Sequence, residues 1–257
     1  NGGNVAVGYD ANRSLTTGYN NVSVGVNAAY AMTTGLYNVA LGANALYANT
    51  TASYNSAFGY LALSANTTGA NNVAVGGLSL DANTTGDQNV AVGTSALGAL
   101  TAGDKNVAIG NSTLSQFNVT DGSETFNTAV GYAAGGAVTT GIQNTLIGGL
   151  AGDALTDADK NVAVGRSALT SDTLGSMSTA IGYSALDSQN FTSATNSRNT
   201  AVGHTAGLSS TTAVDNTLIG EQAGYYITTG SQNTILGRFS GNQGGLDIRT
   251  SSNNIVL

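Results

Sequence analysis

Apolar residues in this chain come in short runs, and each run occupies the same place in a repeating unit, Asn-x-Ala-x-Gly. The unit begins at Asn4, Asn21, Asn38, Asn55, Asn72, Asn89 and Asn106, and continues at Asn127, Asn144, Asn161, Ser178, Asn199, Asn216, Asn233 and Asn254. Three of the spacings (106 to 127, 178 to 199 and 233 to 254) are 21 residues and the others are 17, so the repeat fills the chain as a single domain, 1–257. With the Asn as position 0, positions 1 to 3 read Val-Ala-Val, Thr-Ala-Val or Thr-Leu-Ile, the short β-branched run of a strand. Position 4 is Gly in every complete unit, which predicts a corner through a conformation cheap only for Gly. A second short segment follows at positions 7 and 8 (Ala45-Leu46, Ala62-Leu63, Ala96-Leu97), and Thr-Thr-Gly, as at Thr67-Thr68-Gly69, predicts the return turn.

Seventeen residues with two corners are too few for a helix pair or a propeller blade. They suit one coil of an all-β parallel β-solenoid (β-roll) whose coils stack about 4.8 Å apart, and fifteen starts predict a rod roughly 65 to 70 Å long. The stacked Asn side chains are expected to form an amide ladder, a structural role.

Side chains alternate across a strand, so positions 1 and 3 share one face and position 2 takes the other. In every complete unit position 3 is Val, Ile, Leu or Phe, and position 2 is Ala, Leu or Ile except at Ser23, so both faces are apolar. Position 8 shows which face is interior. Seven units carry Leu there (Leu46, Leu63, Leu80, Leu97, Leu114, Leu169, Leu186) and all seven have Ala at position 2, whereas Leu146, Leu218 and Ile235 are each matched by Gly at position 8. Such volume exchange is what close packing asks of two positions that fill one space. Positions 2 and 8 are therefore expected to meet inside the coil. The outward Val/Ile/Thr stripe then needs a covering surface, and another copy of the chain is the natural one.

Composition narrows the function. Charged residues are 8% of the chain, with no Pro, Cys or Trp and a single His. The missing Pro fits a backbone whose amides are needed in ladders, and the missing Cys leaves the redox compartment unread. No apolar run approaches the length that spans a bilayer, so membrane insertion is not expected. Seven cations against a net charge of −7 give no basic stripe for nucleic acid.

The repeats Asn-Val-Ala-Val-Gly and Asn-Thr-Ala-Val-Gly, followed by Ala-Leu and Thr-Thr-Gly, resemble the head repeats of trimeric autotransporter adhesins. They are still more similar to the Asn-Thr-Ala-Val-Gly repeats of bacteriophage and other viral tail-fibre proteins. The resemblance covers essentially the whole chain and rests on the iteration of the pattern. It implies a trimeric, left-handed parallel β-roll that displays attachment sites on an extracellular fibre, on a virion or a cell surface. The absence of polar caps around Asn4 and Asn254 adds the expectation of a segment of a longer fibre, or of end-to-end stacking.

Catalytic candidates are few. His204 stands at position 5 with no recurring carboxylate beside it, so no catalytic residue and no cofactor are expected. Asp153, Asp157 and Asp159 lack the spacing of a calcium loop and read as a solvated turn. The Thr column at position 12 (Thr16, Thr33, Thr50, Thr67, Thr84, Thr101, Thr139) raises ice binding as an alternative, against the simpler reading of turn residues. A polysaccharide-cleaving spike would need an acidic pair that the pattern does not supply. Attachment is expected in the 21-residue units, because insertions map to surface loops. There Phe117, Asn118, Asp121, Glu124, Phe126, Asn190 and Phe191 combine rings with amides and carboxylates, a set suited to host-surface carbohydrate. The competing reading has phenylalanines such as Phe126 and Phe191 acting as lids over their own coils. Seven of the eleven Tyr lie before residue 61 and mark a second candidate contact surface.

Overall fold

A computed structural model describes residues 2–257 and shows an all-β parallel β-solenoid of about fifteen coils, with no helix among those residues. The chain forms two compact units, Asn1–Asn127 and Thr128–Leu257. In the first, seven three-residue strands, from Val5–Val7 to Val107–Ile109, pair in parallel, each residue opposite the one 17 later: Val22 faces Val39 and Val73 faces Val90. In the second, eight strands from Thr128–Val130 to Ile255–Val256 do the same, and the two 21-residue steps keep the register, Thr179 facing Thr200 and Thr234 facing Ile255.

Each coil has one such strand. The expected second segment at positions 7 and 8 is instead an arc in which positions 6 and 8 take left-handed backbone, as at Asn44 (φ 56) and Leu46 (φ 50). That alternation turns successive amides to opposite sides. The Asn44 N–H donates to Val26 O of the preceding coil (2.9 Å), and the N–H groups of Leu46 and Ala48 donate to Ala62 O and Ser64 O of the following one (3.0 and 2.9 Å). The arc is thus as fully bonded between coils as the strand is, without being a strand.

The corner Gly is a steric requirement. Gly93 has φ +133, and a Cβ built on it would lie 2.3 Å from the carbonyl oxygen of Gly110 in the next coil. The backbones touch there, and only hydrogen fits.

The interior is built from positions 2, 7, 8 and 11. Ala40, Ala45, Leu46, Ala57 and Leu63 are fully buried. Positions 2 and 8 meet as the volume exchange requires: a Cβ at Gly152 would come 2.8 Å from Cδ2 of Leu146 and 2.8 Å from Cδ1 of Leu155 at position 11. Ser23, the polar exception at position 2, donates to Oδ1 of Asn12, a position 8 residue, at 2.7 Å.

The Asn column runs beside this core. Asn72 Oδ1 accepts the backbone N–H of Asn89 (2.9 Å), while its Nδ2 donates to Gly86 O at position 14 of its own coil (2.8 Å). The same pair of bonds recurs along the column, for example at Asn21, Asn55, Asn161 and Asn216. These Asn side chains thus satisfy a backbone donor of the next coil and bond a backbone acceptor of their own, the latter shared in some coils with a position 11 amide such as Asn83 (3.1 Å to Gly86 O).

Candidate functional site

The face turned away from the core is the outer side of the strand. Position 1 is half-buried in most coils and position 3 stands further out: Leu41 is 43% exposed, Val75 36% and Ile147 38%. Residues just before the repeat Asn lie beside this face and all take left-handed backbone, Tyr37, Tyr54, Lys105, Phe126, Lys160, Met177 and Arg198 among them. Two charges in this column are paired in place, Lys105 with Glu124, and Arg198 with Asp215 through Nε and Nη2 at 2.6 and 3.0 Å. The carboxylate lifts the Arg198 pKa above its ordinary value by hydrogen bond and charge. The apolar stripe recurs through the strands of each unit.

The 21-residue coils separate the residues that sequence grouped as an attachment surface. Phe117 is fully buried, because it occupies position 11 and fills the coil interior. Phe191 is buried too, lying against Gly175, where a Cβ would come within 2.8 Å of its ring. These two rings are interior packing, so they offer no contact to a receptor. Asn118 is half-buried, with Oδ1 accepting the N–H and hydroxyl of Thr101 at 3.1 and 2.8 Å.

Four of the seven remain outside. Phe126 is 47% exposed, with the Lys105 ammonium 5.3 Å from its ring centre and Glu124 paired to the same ammonium. Asp121 is exposed at the loop tip, its pKa held below the ordinary value by the Ser123 hydroxyl and the Ser123 amide. Asn190 is exposed in the second loop. The lid reading thus holds for Phe191 and not for Phe126. The third long coil projects a hairpin, Asn242–Gln243 against Leu246–Asp247, turned by Gly244 (φ 62) and Gly245 (φ 87).

Ser178 breaks the Asn column, and a buried polar network closes the gap. Gln189 at position 11 donates Nε2 to Ser178 Oγ (3.0 Å) and to Asp172 Oδ2 (2.6 Å), and its Oε1 accepts from Asn199 Nδ2 (2.8 Å). Asp172 Oδ1 also accepts the N–H groups of Gly175 and Phe191 (3.1 and 3.0 Å). This buried carboxyl group is thus bonded by three N–H donors, which gives it a structural role.

The remaining candidates are occupied in the same way. His204 is exposed and stacks on Tyr183, centroids 5.4 Å apart, with the Arg166 guanidinium 5.8 Å from the Tyr183 ring. Asp159 accepts the N–H of Ile142 at 2.8 Å, and Asp153 accepts the Thr170 hydroxyl. Among the described residues no three His, Cys, Asp or Glu side chains converge as a metal site. Position 12 hydroxyls are spent on the next coil, Thr16, Thr67 and Thr84 donating to Thr33 O, Thr84 O and Thr101 O at 3.0 Å. A further capping column, missed in the sequence, stands at position 15: Asp87 Oδ1 accepts the Ala70 N–H (2.6 Å), and Asp104 Oδ1 that of Asp87 (2.7 Å).

Comparison of the chain with protein families, with curated proteins and with solved structures gives no match. The class of the protein is accordingly set by its architecture, a β-solenoid repeat protein.

Proposed function

We propose that this chain is a non-enzymatic segment of an extracellular fibre, in which three copies associate through the outer strand face and the long coils contact host-surface carbohydrate. The observation that carries the reading is the half-exposed Val/Ile/Leu/Phe stripe at position 3, unpaired in the single chain. A stripe of this kind is costly in water and favours a hydrophobic partner surface. The resemblance to tail-fibre and adhesin-head repeats supplies the number three and the setting of a virion or cell surface. Asp121, Glu124, Phe126 and Asn190 remain as the attachment candidates, since Phe117 and Phe191 are interior.

Light scattering on the purified chain tests the assembly and should give three times the 25.4 kDa chain mass. Val75→Asp places a carboxylate in the stripe and should yield monomer, whereas Thr94→Asp, on an exposed residue at position 5, should leave the mass unchanged. A wild-type monomer with a full β signal would overturn the proposal.

A further inference from the structure

The first unit carries a tyrosine ladder that ends in an open groove. Position 9 is Arg13, Tyr30 and Tyr47 in three successive coils. The Arg13 guanidinium lies 5.5 Å from the centre of the Tyr30 ring, and Tyr30 stacks on Tyr47 with centroids 5.1 Å apart and planes within 14°. Tyr30 therefore covers one face of Tyr47 and fixes its plane. The next coil puts Ser64 at position 9, too small to cover the other face, and a groove of about 520 Å³ opens there.

Polar groups complete the groove. Asn27 Nδ2 donates to Asn44 Oδ1 at 3.1 Å, and both side chains line the groove with Tyr47, Leu61 and Ser64. That bond leaves the Asn27 carbonyl and the Asn44 amino group uncommitted, one acceptor and one donor. None of the residues lining the groove is charged. An aromatic platform beside a paired amide acceptor and donor complements a ring whose face is C–H and whose edge carries neighbouring hydroxyls. The volume falls in the ordinary range of small-ligand sites, about 300–1,000 Å³.

We infer that this groove binds a neutral hexopyranose, stacked on the free face of Tyr47 with an edge hydroxyl bonded to Asn44, whose carbonyl Asn27 holds in place. The assignment deepens the attachment reading and rests on it for its setting, but the groove belongs to regular 17-residue coils and uses none of the loop residues. The preformed Tyr stack means that little ordering accompanies binding. One sugar ring of about a dozen heavy atoms at ordinary ligand efficiency gives millimolar affinity, which suits a surface repeated in every copy of a fibre.

Saturation-transfer NMR on the whole chain tests the site, using glucose, galactose, mannose and N-acetylglucosamine as probes at about 10 mM. At least one sugar should receive saturation, retained in Tyr47→Phe and cut about fivefold or more in Tyr47→Ala and Asn44→Ala. Tyr47 is half out in solvent, so its variants should fold, and melting curves on each variant check this. No transfer to any of the four, or transfer unchanged in Tyr47→Ala, overturns the inference. If binding survives Tyr47→Ala but is lost in Phe126→Ala, the groove falls and attachment through the loops stands. If the sugar binds through Tyr47 while the chain fails to bind glycan-bearing cells, the groove stands and the attachment reading falls.

Discussion

Exchanging volume between positions 2 and 8 should move stability in a strongly non-additive way. The pair to perturb is Leu146 and Gly152. Leu146 is fully buried, so Leu146→Ala removes its methyl groups into a cavity and should cost about 3 kcal/mol. Gly152 sits at φ +55, and its added Cβ would come 2.8 Å from both Leu146 and Leu155. Gly152→Leu alone should therefore cost about 1–2 kcal/mol for left-handed backbone and about 1–3 more for overpacking. The double variant places Ala, Leu and Leu at positions 2, 8 and 11, the triad that the coil from Asn89 already holds as Ala91, Leu97 and Leu100. Only the backbone term should remain, about 1–2 kcal/mol, against about 6 for the sum of the singles. A coupling of about 4 kcal/mol lies well above the few tenths by which distant sites depart from additivity. Urea denaturation of the four proteins, followed by circular dichroism, measures the cycle. Additive losses would refute the claim that these side chains share one space.

Two further outcomes follow from the polar columns. Asn72→Ala orphans the buried Asn89 N–H, while the Gly86 carbonyl keeps the Asn83 amide (3.1 Å), and should cost about 1–3 kcal/mol in urea unfolding, whereas the exposed Thr85→Ala should stay within about 0.5. Asp104 has its pKa raised by burial, against the opposing bond from the Asp87 N–H, so the folded state holds the proton more tightly than the unfolded one. Its charge thus costs stability at neutral pH, and the cost fades as pH falls through the folded pKa towards the ordinary carboxylate value. Asp104→Asn keeps the acceptor for the Asp87 N–H and should raise the melting temperature at about pH 7 but not at about pH 3.5; an equal gain at both would contradict the charge as its cause.

The architecture was legible because its constraints recur every 17 residues. The corner Gly, the Asn column and the exchange between positions 2 and 8 each leave a mark in residue type, and each has the role its pattern implies. Position 11 left no such mark. It holds Met32, Leu100, Phe117 and Leu155 in some coils and Asn49, Asn66, Asn83, Asp172 and Gln189 in others, yet every one of these is buried. The amides bond in a run, Asn66 and Asn83 donating to Asn49 and Asn66 at 2.9 and 3.0 Å and leaving only Asn83 Oδ1 of the run's last member without a partner, so hydropathy does not betray that the column is interior. The same oversight placed Phe117 on the attachment surface: aligning the long unit with its neighbours puts that ring at position 11, while Phe126 falls just before the next Asn, on the outside. The arc at positions 5 to 10 was hidden for another reason. A left-handed Leu is locally disfavoured, and only its burial between coils holds it there.

The uniform 17-residue register carries a hazard of its own. Within either unit, a coil displaced by one whole repeat would find Gly opposite Gly and Asn beneath Asn, so slippage by a full turn meets little resistance from the conserved frame. What distinguishes one level from another is the set of departures. Ser178 Oγ is bonded where Gln189 and Ser197 lie within reach, Ser23 Oγ above Asn12, and Phe191 is accommodated over a glycine such as Gly175. These irregular coils act as milestones along an otherwise unnumbered track: they give the chain one lowest-energy threading among many near-equivalents and make mis-stacked forms the costlier ones.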